Sequence, residues 1–229
     1  MPKKTQAIRE TDLYAPIKKM LEAQGYEVKG EIGAADLVAV REAEDPVIVE
    51  LKTGFSLSLF HQGTERQRLT DAVYVAVPRG SGVAFARSLK NNTHLCRRLG
   101  LGLITVRMKD KLVEIHLDPA PYRPRVAVLQ KQRMLKEFAK RTGDPNLGGA
   151  TRQGLITAYR QDAVRCLAVL HENGPTKAAV VAKLSQVEIA RRLMADNHYG
   201  WFEKVDKGVY GLTPEGAEAV SVSGRVLGA

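Results

Sequence analysis

Residues 47–52 read Val-Ile-Val-Glu-Leu-Lys, and that run leaves the chain few choices. It is short, apolar and rich in β-branched side chains, which makes it a strand and not a helix. Side chains alternate along a strand, so Val47, Val49 and Leu51 share one face, and Ile48, Glu50 and Lys52 the other. The first face is wholly apolar and must be covered. The second ends by setting a carboxylate beside an amine. From spacing alone that pair has two readings of equal weight, a surface ion pair on an edge strand or part of a reactive site.

Other elements follow from periodicity. Residues 11–24 place Leu13, Ile17, Met20 and Leu21 at helical spacing, with Thr11 or Asp12 as cap, Pro16 in about the first turn and Gly25 as the stop. Tyr26–Lys29 is a short strand candidate and Asp36–Val40 a stronger one. Residues 55–69 read as a helix with Phe55, Leu59, Arg66 and Leu69 near one face. Residues 72–77 read as a strand, and 83–99 as a helix carrying Val83, Ala86, Leu89, Cys96 and Leu99. Leu103–Met108 and Leu112–Leu117 form a hairpin around Lys109 and Asp110. The order α-β-β-β-α-β-α-β-β predicts an α/β domain with one mixed sheet flanked by helices.

Asp118–Arg125 holds three prolines and closes this first domain, placed at residues 1–120. Residues 126–141 read as a basic amphipathic helix with Leu129, Leu135, Phe138 and Ala139 as apolar members. A glycine-rich loop follows over 143–154. Residues 121–157 thus form a basic connecting segment. Residues 158–229 read as a winged helix-turn-helix, with helices at 158–172, 176–184 and 186–196. Strands at Trp201–Val205 and Val209–Thr213 flank an Asp206-Lys207-Gly208 turn, and Pro214 opens a last short helix.

Charge narrows the partners. The chain of 229 residues carries a formal net charge of +10. Residues 121–160 hold nine Lys and Arg against two Asp and Glu, whereas 161–229 hold eight of each. A clustered basic segment suits a polyanion such as nucleic acid. Arg133, Lys136 and Lys140 lie at i, i+3 and i+7, on one helix face. Arg191, Arg192, Lys204 and Lys207 could add a local patch in the neutral C-terminal part. No run reaches a membrane span, and MPKKTQAIRE has no apolar stretch behind it, unlike a secretory signal. Cys96 and Cys166 lack metal-ligand spacing and fit reduced thiols of a cytoplasmic protein. The five histidines form no triad or zinc spacing, and no loop has the GxxxxGK[ST] form.

Asp36 begins the strand before Glu50. If the two strands pair, the carboxylates converge and make a hard oxygen site for Mg²⁺ or Mn²⁺. Such an ion acidifies water and offsets phosphoryl charge, and Lys52 could hold the attacking water or neutralise developing charge.

These residues resemble the PD-(D/E)XK phosphodiesterase superfamily, whose signature is an Asp at a strand start followed by Glu-x-Lys on the next strand. Ala35-Asp36 and Glu50-Leu51-Lys52 stand at those places. The chain is also similar to a bacterial family of predicted PD-(D/E)XK phosphodiesterases. That similarity is carried by ETDLYAPIKKMLEAQGY, GEIGAADLVA, VIVELK, HQGTERQRLTDAVYVAVP, GDPN-x-GG and YGWF. The resemblance implies a restriction-endonuclease-like αβββαβ core and a Mg²⁺- or Mn²⁺-dependent nuclease. It makes Asp36, Glu50 and the Leu51 carbonyl metal ligands, Lys52 the catalytic lysine, and Gln62 a residue that orients the lysine or a phosphate. Glu10 and Glu31 are further candidate metal contacts. Glu10 equally serves a helix start, and Glu31 is equally a solvated loop carboxylate.

The expected partner is nucleic acid, DNA before RNA, with no membrane. The rival reading is an inactive DNA-binding or regulatory protein on a nuclease fold. A third, a protein-contact module, rests on the neutral C-terminal part and leaves open a homodimer.

Overall fold

The computed structural model describes residues 7–149 and 155–222. Residues 1–6, in which the absence of a signal was read, and 150–154 of the glycine-rich loop lie outside that range. The chain divides into two compact units, Met1–Arg125 and Val126–Ala229.

In the first unit the elements are α1 (Thr11–Glu22), β1 (Glu27–Ile32), β2 (Ala35–Val40), β3 (Val47–Leu51), α2 (Leu57–Arg66), β4 (Val73–Pro78), α3 (Gly82–Leu99), β5 (Gly102–Arg107) and β6 (Leu112–Leu117). One six-stranded sheet runs β1-β2-β3-β4-β5-β6. The β1–β2, β2–β3 and β5–β6 pairs are antiparallel, and β3–β4 and β4–β5 are parallel. Two parallel steps in one direction, with crossovers of the same hand, put α2 and α3 on the same face. Leu59, Phe60 and Cys96 pack there with Ile48, Val75 and Leu103. On the other face α1 presents Leu13, Ile17 and Leu21 to Val47, Val49 and Leu51. The alternation of β3 therefore divides its side chains between two cores.

Details differ from periodicity at helix ends. Pro16 lies in the second turn of α1, where its missing N–H leaves the Asp12 carbonyl without an intrahelical donor. Asp12 is exposed, so water can serve. The second helix begins at Leu57, because Ser56 caps it by accepting the Leu59 N–H at 3.3 Å. Leu69 and Val83, expected on packed faces, are 70% and 78% exposed. Cys96 and Cys166 are both buried free thiols, and burial pushes them up to about 12 and about 11.

Gly63 sets how closely α2 approaches the sheet. A Cβ there would meet Val75 Cγ1 at 3.0 Å and Leu101 Cδ1 at 3.1 Å. An alanine ordinarily gains about 1 kcal/mol in a helix, but overpacking a core costs about 1–3 kcal/mol. Gly63→Ala should therefore lose about 1 kcal/mol net, read as a lower urea midpoint. An unchanged or higher midpoint would show that α2 has room to shift.

The second unit comprises α4 (Val128–Lys140), α5 (Ala158–Asn173), β7 (Thr176–Lys177), α6 (Ala178–Ser185), α7 (Ala190–Asp196), β8 (Phe202–Asp206), β9 (Val209–Leu212) and α8 (Pro214–Val222). The strands form a sheet in the order β7-β9-β8. Its core gathers Cys166, Leu167 and Leu170 of α5 with Val181, Leu193, Met194, Phe202 and Tyr210. Helix α4 buries no residue and is tied to α5 by polar bonds. Glu137 Oε1 accepts the Ala158 N–H at 2.9 Å. The Gln161 amide exchanges two bonds with the Thr142 backbone, at 2.8 and 2.7 Å. The buried Asp162 takes both Lys140 and Arg165.

Candidate active site

Antiparallel pairing of β2 and β3 in the register Leu37↔Val49 carries Asp36 to the end of β3. The backbone N–H of Leu51 donates to Asp36 Oδ2 at 2.7 Å. Glu50, next to Leu51, points to the opposite face from Val49 and Leu51, beneath α2. Its side chain is fully buried. Its Oε1 accepts from Arg66 Nε at 2.7 Å, and Arg66 also donates to the Ala34 carbonyl. Arg66 thereby fastens α2 to both the carboxylate and the β1–β2 turn.

The Glu50 carboxyl lies above the ordinary carboxylate range. Desolvation is the main cause and the Asp36 charge the next, while Arg66 pulls the other way. Continuing the β2–β3 register sets Asp36 across from Glu50. A carboxyl raised by folding contributes stability below its unfolded value, and that contribution is lost as pH rises through its folded value. Without divalent ion, the thermal midpoint of the chain relative to Glu50→Gln should therefore fall as pH rises from about 4 towards neutrality. A difference that is flat or rises over that window would contradict the burial effect.

Glu50 Oε2 is buried and has no hydrogen-bond partner among the described residues, and the same holds for Gln62 Oε1. Gln62 stands one turn before Arg66 on α2. Lys52 lies past the end of β3, where strand alternation no longer directs it. Its Nζ reaches Glu10 Oε2 at 3.2 Å, at the N-cap of α1. The cation on Glu50 is thus Arg66, and Lys52 belongs to a neighbouring pair. Continuing the β1–β2 register places Glu31 across from Asp36. Its φ of 53° breaks the ladder there, and its side chain is exposed. No group of three or more His, Cys, Asp or Glu set to hold a metal occurs among the described residues.

The surface candidates differ among themselves. Arg133 and Lys136 are exposed on α4, and Arg191 and Lys207 are exposed in the second unit. Arg192 is exposed and bonds Asp196 at 3.3 Å. Lys140 is paired with buried Asp162, so an anion would have to compete for it. Sequence reasoning missed Arg66 as a functional residue. The available signal was its i+4 spacing from Gln62, which puts both on the helix face over Glu50.

Residues 104–219 match the family described as "Putative PD-(D/E)XK phosphodiesterase (DUF2161)". The matched stretch is just over half of the chain. The chain belongs to this PD-(D/E)XK phosphodiesterase family. No curated protein matches it. The family match begins at β5 and runs to α8, a shorter reach than the nearly full length implied by the sequence motifs. Asp36, Glu50 and Lys52 precede it, so the match does not bear on them. The six-stranded mixed sheet with helices on both faces agrees with a PD-(D/E)XK core. Among the described residues, no helix is long and apolar enough to cross a membrane.

Proposed function

We propose that the first unit hydrolyses phosphodiester bonds in nucleic acid, DNA before RNA, with Mg²⁺ or Mn²⁺ as cofactor. The observation that carries this reading is the Asp36–Glu50 pair. The two face each other across the β2–β3 pair, Glu50 is fully buried, and positive charge beside them is favoured. A divalent cation would meet that need. The donor set fits a hard cation: Asp36, the unpartnered Oε2 of Glu50 and the Leu51 carbonyl would hold it, with Glu31 as a further candidate. When bound, the ion supplies charge against the phosphate and acidifies water.

The chain's own residues do the rest. The Leu51 N–H fixes Asp36. Arg66 takes one oxygen of Glu50 and leaves the other facing the site. Lys52, held by Glu10, is placed to orient a water or steady phosphoryl charge, and Gln62 offers a buried carbonyl oxygen to a donor. In this reading residues 1–120 are the catalytic domain and 121–157 a basic connector. Residues 158–229 are a winged helix, supported by the order α5-β7-α6-α7-β8-β9. Arg133, Lys136, Arg191, Arg192 and Lys207 contact the backbone of the substrate. The two buried thiols agree with a cytoplasmic setting.

The second reading, an inactive binding protein on this fold, is favoured by one observation. Arg66 already supplies a cation to Glu50, and no third acid joins the pair among the described residues. Incubation of the purified chain with DNA and RNA in Mg²⁺ or Mn²⁺, against EDTA, separates the two. Divalent-dependent cleavage that drops about a hundredfold or more in Lys52→Ala supports the nuclease. Cleavage unchanged by Lys52→Ala would remove this site from the reaction, whereas binding with no cleavage of any substrate favours the binding protein.

A further inference from the structure

A cleft lies along the sheet from the carboxylates. The end of α3, the end of β6 and the proline-rich segment after it enclose a surface cleft of about 780 Å³. His94, Arg97, Arg98, Tyr122, Arg123 and Arg125 line it. One carboxylate, Asp118, also lines it, but the Tyr74 hydroxyl donates to that group at 2.9 Å. Arg97, Arg123 and Arg125 are exposed, and the Arg98 guanidinium lies over the Tyr122 ring at 5.2 Å.

Two of these arginines have another explanation. Arg97 and Arg98 fall in the last turn of α3, where cations offset the carbonyl end of the helix. Arg123 and Arg125 stand on no helix, so that account stops short of them. Four arginines lining one cleft with a half-buried aromatic ring match a ligand that repeats phosphates and planar rings, which is a nucleic-acid strand.

Position supports the same ligand. Glu50 pairs with Val75, Val75 with Leu103, and Leu103 with Leu117. Leu117 also lines the cleft. The cleft is therefore offset from Glu50 across the sheet by three strand spacings, about 14 Å. A stacked strand advances about 3.4 Å per phosphate, so roughly four nucleotides cover that distance.

We propose that this cleft binds the phosphodiester backbone of a nucleic-acid strand at a site separate from Asp36 and Glu50, with Tyr122 as a stacking surface. The choice of ligand rests on the phosphodiesterase reading, whereas its test needs no hydrolysis. The full chain is titrated in EDTA against a fluorescein-labelled 20-nucleotide DNA strand, and anisotropy is followed from 25 to 200 mM salt. Arg97→Ala/Arg123→Ala/Arg125→Ala should weaken binding about tenfold or more at low salt. It should also reduce the slope of log K against log salt by about 2, near 0.7 for each lost phosphate contact. Arg98 is kept so that Tyr122 stays packed. A control removing the same charge elsewhere, Lys19→Ala/Lys90→Ala/Lys109→Ala, should leave most of that slope in place.

Three results would overturn the proposal: no binding by the wild-type chain at 25 mM salt, a triple-arginine variant with the wild-type slope, or an equal loss in the lysine control. Tighter arginine-dependent capture by anionic lipid vesicles than by the oligonucleotide would assign the cleft to a membrane surface instead. Since EDTA removes catalysis, a failed cleavage assay and a failed binding assay are separate outcomes.

Discussion

Asp36→Asn should reduce divalent-dependent phosphodiester hydrolysis by about a thousandfold or more while leaving the fold in place. The amide keeps an oxygen for the Leu51 N–H, which Asp36 accepts at 2.7 Å, and so preserves the β2–β3 corner. It removes the charge that, with Glu50, would hold a cation. Asp36→Ala removes both and should add a stability loss of about 1 kcal/mol for the unpaired N–H. The same loss of charge relieves Glu50, whose carboxyl is raised partly by Asp36. Calorimetric titration with Mg²⁺ or Mn²⁺ should show heat for the wild-type chain and little for Asp36→Asn. Wild-type turnover by Asp36→Asn would remove this carboxylate from the mechanism.

The second large effect concerns Arg66. Its side chain is 12% exposed and that of Glu50 is 0% exposed, so neither charge is shared with much water. Arg66→Ala should destabilise the chain by about 3–5 kcal/mol, because it strands a buried carboxylate. It also takes the donor from the Ala34 carbonyl. Adding Glu50→Gln to Arg66→Met should recover much of the loss, since a neutral amide needs no cation. Divalent ion should raise the urea midpoint of Arg66→Ala more than that of wild type, because it replaces the missing charge. An Arg66→Ala chain within about 1 kcal/mol of wild type would mean that the pair holds little.

These two variants also mark what was legible before folding. Glu50 could be placed from VIVELK alone, because alternation with period two survives in any strand and β3 is buried on both faces. Asp36 needed one further step, the antiparallel pairing of β2 with β3. Arg66 was not legible in that way. It was grouped with Phe55, Leu59 and Leu69 as one face of a helix, yet Leu69 lies outside α2 and is exposed. Its ion pair spans 16 residues and depends on how α2 lies on the sheet. Lys52 shows the limit of alternation: one residue beyond the strand, its amine turns to Glu10, 42 residues away. The two residues of β7 carry no period at all. Lys140 fitted a basic face by spacing, but the buried carboxylate that claims it lies on the next helix.

The strand β1 has a consequence for how the molecule behaves among its copies. It is an edge of the sheet, and an open edge is a template for further strands. Along it, Glu27 and Lys29 form an exposed ion pair at 2.8 Å, and Glu31 turns left-handed at its end. An incoming strand would have to desolvate those charges and find a backbone that is no longer extended. The residues beside the Asp36 corner therefore also discourage edge-to-edge polymerisation. A Glu27→Val/Lys29→Val chain would keep its carboxylate pair and become more prone to form fibrils.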